Sequence, residues 1–131
     1  MKLLLDTHIW LWSMLAPERL SRRVTTELQS ATNELWLSPI SVWEAALLGE
    51  KGRVEFDDDP RAWINRALQK VAFKEAPLTR EVALQSRAVD LSHQDPVDRF
   101  LAATARVLAL TLVTADRRLL RGKTFRTLAN R

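Results

Sequence analysis

Cysteine is absent from the 131 residues, which excludes disulfides, zinc–thiolate sites and thiol nucleophiles. Long apolar runs are missing too. Leu3-Leu4-Leu5 meets Asp6 before a signal-peptide stretch can form, and no other run approaches membrane-spanning length. A cytoplasmic protein without a membrane partner is therefore expected. No internal repeat, low-complexity tract or linker breaks the chain, so one domain over residues 1–131 is expected. Acids are scarce in one region only. From Arg99 onward, eight basic residues face the single acid Asp116, so that segment carries about +7 and the first 98 residues about −3 within a total of +4. Such asymmetry points either to a polyanionic partner held beside one region of the fold or to a solvated surface.

What is present alternates between short apolar runs and longer helical stretches. Lys2–Leu5 reads as a strand without alternation, the pattern of a strand buried on both faces. His8–Leu15 and Ser21–Ser30 read as helices, the second capped by Ser21. Glu34–Leu37 is a strand closed by Ser38-Pro39, and a helix from Ile40 to Leu48 stops at Gly49. Gly52–Asp59 is a charged turn region with room for a short ribbon. Asp59-Pro60 opens a helix to Val71, and Ala72–Leu78 is an edge strand limited by Pro77. Thr79–Leu91 is helical, Asp95-Pro96 starts a helix through Val107, Thr111–Val113 is a strand, and Phe125–Leu128 is a last strand. Strands separated by helices imply right-handed crossovers: an α/β fold, with a parallel β-sheet flanked by helices on both faces.

Ligands of an open α/β sheet bind beyond the carboxyl ends of its strands. Asp6 directly follows Leu3-Leu4-Leu5, and Asp116 comes just after Thr111-Leu112-Val113. Each has a competing role as a cap or turn former. Glu44 is the only charge in Ile40–Leu48, where an ionised carboxylate needs a partner. Ser41-x-x-Glu44 also matches a capping box, but Ser38-Pro39 offers an earlier cap that leaves Glu44 inside the helix. In His93-Gln94-Asp95-Pro96-Val97-Asp98-Arg99, Asp95 suits an N-cap and Asp98 suits the helix dipole, so nothing local separates helix-start chemistry from catalysis. Together, carboxylates converging at strand ends would raise one another's pKa, and a hard divalent cation with oxygen ligands would relieve that repulsion. Mg²⁺ or Mn²⁺ held there would serve phosphodiester hydrolysis.

At four places in order the chain resembles the PIN-domain ribonucleases, and specifically the VapC-type toxins of toxin–antitoxin pairs. The pieces are Leu3-Leu4-Leu5-Asp6-Thr7-His8, Ser38-Pro39-Ile40-Ser41-Val42-Trp43-Glu44, His93–Arg99 followed by Leu101-Ala102-Ala103-Thr104-Ala105, and Leu112-Val113-Thr114-Ala115-Asp116-Arg117. The resemblance implies a PIN-like domain and Mg²⁺- or Mn²⁺-dependent endoribonuclease activity. By position it makes Asp6, Glu44, Asp98 and Asp116 the catalytic, metal-binding quartet. Asp6 and Asp98 are its principal ligands, Glu44 the group for the attacking water, and Thr7 and Thr114 hydroxyl supports. Asp95 is the ambiguous neighbour of Asp98. The resemblance also implies a cognate antitoxin and a homodimer, and the apolar His8–Leu15 helix suits a partner surface unless later helices bury it. The alternatives are a non-catalytic RNA- or partner-binding module, or a PIN-type nuclease acting on DNA. His8 is expected to be structural, the Asp57-Asp58-Asp59 run a loop ending in a cap, and Trp36, Trp43 and Trp63 core residues. Arg99, Arg117 and Arg118 are expected to contact phosphate.

Overall fold

The computed structural model describes residues 1–131. Five strands form one sheet: β1 (Lys2–Leu5), β2 (Glu34–Leu37), β3 (Lys74–Glu75), β4 (Thr111–Thr114) and β5 (Arg126–Ala129). Their order is β3-β2-β1-β4-β5, and every pairing is parallel. The leucine run of β1 explains its central place. Leu3 and Leu5 point to one face, where they meet Ile9, Trp10 and Val24; Leu4 points to the other, against Leu101, Ala102 and Leu112. Alternation by two thus feeds two cores from one strand, and each fully buried leucine contributes about 2 kcal/mol.

The helices that cover these faces are α1 (Thr7–Leu15), α2 (Arg22–Gln29), α3 (Pro39–Glu50), α4 (Pro60–Lys70), α5 (Arg80–Ser86), α6 (Pro96–Val107) and the short α7 (Arg117–Leu120). The expected caps are present. Ser21, Ser38, Asp59 and Asp95 each accept from a first-turn amide, those of Val24, Ile40, Ala62 and Asp98 respectively. Capping by Ser38 leaves Glu44 in the body of α3, and Ser41 Oγ, buried beside it, has no partner at all.

Four expected elements depart from their ranges by more than one residue. α3 continues through Gly49 to Glu50, because this glycine serves close packing rather than termination: a Cβ there would lie 2.8 Å from Phe56 and Pro60. The turn comes at Gly52, with φ of 68°. Residues 52–59 hold no ribbon, and the 72–78 strand shrinks to Lys74–Glu75 at the sheet edge. α5 ends at Ser86 instead of running to Leu91. The carbonyls of Ser86, Val89, Leu91 and His93 turn inward onto the Arg99 guanidinium, which donates to all four at 2.9–3.4 Å. No helix is long and apolar enough to cross a membrane.

Candidate active site

Because the chain leaves β1 toward β2 and β3 on one side and later returns as β4 on the other, its switch point falls between β1 and β4. A cleft of about 350 Å³ opens there, at the carboxyl ends of these strands. Asp6, Glu44, Asp98 and Asp116 all line it, joined by Asp95, His8, Trp12 and Arg118. The four acids, up to 110 positions apart in sequence, are thus brought to one cleft.

Asp6 is buried at the end of β1, and its carboxylate makes no capping hydrogen bond to α1. It accepts instead from Thr114 Oγ1 at 2.6 Å, and Thr114 Oγ1 in turn accepts from the Asp116 amide at 3.0 Å. One threonine thus ties the ends of β1 and β4 together and orients Asp6. Burial pushes the Asp6 carboxyl up to about 7; the Thr114 hydrogen bond and the nearby Thr7 amide oppose the rise, and the charges of Asp98 and Glu44 add to it. The Thr7 hydroxyl, by contrast, is buried without a partner.

Asp98 lies in the first turn of α6, buried, with Oδ2 2.8 Å from His93 Nε2 and 3.6 Å from an Arg118 nitrogen. Burial again raises its carboxyl, assisted by Asp95 and Asp116 and opposed by His93. Asp116 behaves oppositely. Although partial burial works against ionisation, Arg118 reaches both its oxygens, at 3.3 and 3.0 Å, and donates its amide at 2.8 Å, holding the carboxyl below its usual range. Glu44 projects from α3 into the cleft and joins no ion pair. As placed, no three acidic or histidine side chains converge tightly enough to grip one ion. Asp98 and Asp116 are turned toward His93 and Arg118, which occupy their oxygens. The donor chemistry nevertheless fits a hard divalent cation: every cleft acid offers oxygen, and a bound ion would offset both the burial that chiefly raises the Asp6 carboxyl and the smaller repulsion from Asp98 and Glu44.

Two side chains depart from their expected roles. Arg99 is 5% exposed and spends its donors on backbone carbonyls, so it is a latch for the segment before α6 and does not face phosphate. Trp43 is 55% exposed, whereas Trp63 is buried against Phe56 and Trp36 is half-buried. His93 invites a general-base role that the resembled family's chemistry does not need; it sits directly on Asp98, and its place five residues earlier, across a cap and a proline, is the signal for that contact. His8 is exposed on the cleft wall against the Trp12 ring. Asp57 and Asp58 pair with Arg66 while Asp59 caps α4, as a charged loop should. Of α1, Ile9, Trp10 and Leu11 are buried; Trp12 and Met14 are partly covered, with Arg19 4.3 Å over the Trp12 ring, and Leu15 remains exposed.

The fold and cleft define a class: an open parallel α/β domain with a carboxylate-lined depression at its switch point. The sequence profile of the PIN domain matches residues 3–123. Ribonuclease VapC22 of Mycobacterium tuberculosis (strain ATCC 25618 / H37Rv) is 34% identical over 117 residues, 88% of this chain and 88% of that protein. The chain therefore belongs to the PIN-domain family, with the VapC-type proteins among its relatives. Among solved structures, VapBC2 from Rickettsia felis bound to a promoter DNA fragment matches with a TM-score of 0.74 at 15% identity, covering 98% of both chains. DNA-bound VapBC from Salmonella typhimurium gives 0.70 at 20% identity, also over 98% of each. At these identities the likeness is one of fold.

Proposed function

We propose that this protein is a Mg²⁺- or Mn²⁺-dependent endoribonuclease and the toxin component of a type II toxin–antitoxin pair. The observation that carries the reading is the meeting of Asp6, Glu44, Asp98 and Asp116, from four separate segments, in one cleft at the switch point. The named activity of the VapC22 relative supports the ribonuclease class.

Asp6 and Asp98 would hold the cation, with Glu44 and Asp116 completing the oxygen set directly or through water. When bound, the ion lowers the pKa of water and offsets phosphate charge. The chain's own residues do the rest. Thr114 fixes the Asp6 carboxylate, and His93 fixes Asp98. Glu44, free of protein partners, is the carboxylate available to orient the attacking water and take its proton. Arg118 stands at the cleft mouth, where its planar guanidinium meets a phosphate more readily than a lysine would. Arg117 and Arg121, both exposed nearby, attract the polyanionic backbone. An antitoxin protein and a second copy of this chain are the proposed partners, with the end of α1, exposed at Leu15 and partly covered at Trp12 and Met14, available to them.

Purified protein incubated with single-stranded RNA should cut it in Mg²⁺ or Mn²⁺, stop with chelator, and spare DNA of the same sequence. The Asp6→Asn variant should be inert. Cleavage by Asp6→Asn at the wild-type rate would refute the assignment, and metal-indifferent, salt-sensitive RNA binding without cleavage would mark a binding module instead.

A further inference from the structure

A second cavity, of about 370 Å³, adjoins the acidic cleft, and its character is different. Trp43, Leu47, Pro96 and Val97 wall it, while its polar groups are the two carboxylates of Glu44 and Asp95. The same two acids line the catalytic cleft, so the cavities share a rim. Trp43 precedes Glu44 on α3, yet more than half of its surface is open to solvent. An indole left exposed on a helix that otherwise packs against α1, α4 and α6 is a large apolar face with no occupant in this chain.

We infer that this groove is a nucleobase subsite: the base next to the scissile phosphate stacks on Trp43 and presents an exocyclic amine to Asp95. The inference rests on the nuclease reading above and adds a specificity residue to it. Bases unstacked from single-stranded RNA are characteristically received on aromatic faces and read along their polar edges. Both polar groups here are acceptors. Asp95 uses Oδ1 to cap α6 and keeps Oδ2 free. A carboxylate accepts from the amino groups of cytosine, adenine or guanine and opposes the flanking carbonyls of uracil, so amino-bearing bases are preferred. An apolar protein segment is a poorer occupant, because covering the groove would strip water from Glu44 and Asp95 without supplying donors. Continuity with the cleft places the bound base beside the groups that act on the backbone.

The test uses full-length protein and RNA oligonucleotides that vary one base at a time around the cleavage site. Trp43→Ala should raise KM about tenfold with kcat held within about twofold, and should flatten the preference against uracil at one position. Trp43→Phe should restore most of both, since a phenyl ring still stacks. In the inactive Asp6→Asn background, fluorescence anisotropy should show the same tenfold loss of RNA binding for Trp43→Ala. Sedimentation of each variant checks the other occupant. Unchanged KM and base preference with a fall from dimer to monomer would make this a self-association face and overturn the subsite, while leaving the nuclease reading intact. Unchanged kinetics with unchanged mass would overturn it too. Absence of RNA cleavage by the wild type would remove both.

Discussion

Asp6→Asn should stabilise the metal-free protein, and by an amount that grows with pH. The unfolded chain ionises Asp6 near 3.8, whereas in the fold burial beside Asp98 and Glu44 holds the proton until about 7. Between those values the native state binds the extra proton, so stability is greatest below the lower value and declines as pH rises through the upper one. The gap corresponds to about 4 kcal/mol. Asparagine is nearly isosteric, can keep the Thr114 hydrogen bond through its amide oxygen, and carries no charge to bury. Urea unfolding of both proteins in chelator should therefore diverge, the advantage of Asn growing by about 3 kcal/mol between pH 4.5 and 8. Other titrating groups are common to the two proteins and cancel in the difference. Adding Mn²⁺ at about a hundred times its dissociation constant should return nearly 3 kcal/mol to the wild type and little to the variant. Parallel stability curves across that pH range would refute the argument, because they would mean that Asp6 ionises as freely in the fold as outside it.

Two further outcomes follow from individual side chains. Arg99→Met removes the only donors aimed at four carbonyls and should cost about 3 kcal/mol or more in urea unfolding, with RNA affinity lost only as far as the fold is lost. A variant that stays stable but binds RNA poorly would restore Arg99 to the phosphate contacts. Arg118→Gln should weaken RNA binding across sequences and reduce the slope of log affinity against log salt by about 1; an unchanged slope would confine Arg118 to its pairs with Asp98 and Asp116.

The legibility of this fold in its sequence depends on how local each decisive contact is. The buried β1 strand is written in three consecutive leucines, and four helix starts are written in a capping residue followed within three positions by the amide it receives. The end of α5 is not, since the group that takes the Ser86 carbonyl is thirteen residues away and looked like a cation for phosphate. Gly49 shows the same limit: it reads as a helix stop, but its missing side chain makes room for Phe56 and Pro60.

The acids of the cleft divide along that line as well. Asp6, Asp98 and Asp116 each follow a strand or open a helix, and local physics explains every one of them as a cap or a dipole partner. In the fold Asp116 does cap α7, and Asp95 caps α6, leaving Asp98 to His93. Asp6 alone declines the cap, because Thr114 claims its oxygen from across the sheet, and that choice is visible only once β1 and β4 are paired in register, with Leu5 opposite Val113. Trp43, expected in the core, is exposed for the converse reason. A helix apolar nearly all round is either buried or lies in an interface, and on α3 the indole of Trp43 faces outward beside Glu44. Composition reports how much apolar surface a helix carries, and only the neighbours decide whether that surface meets the core or remains open to a ligand.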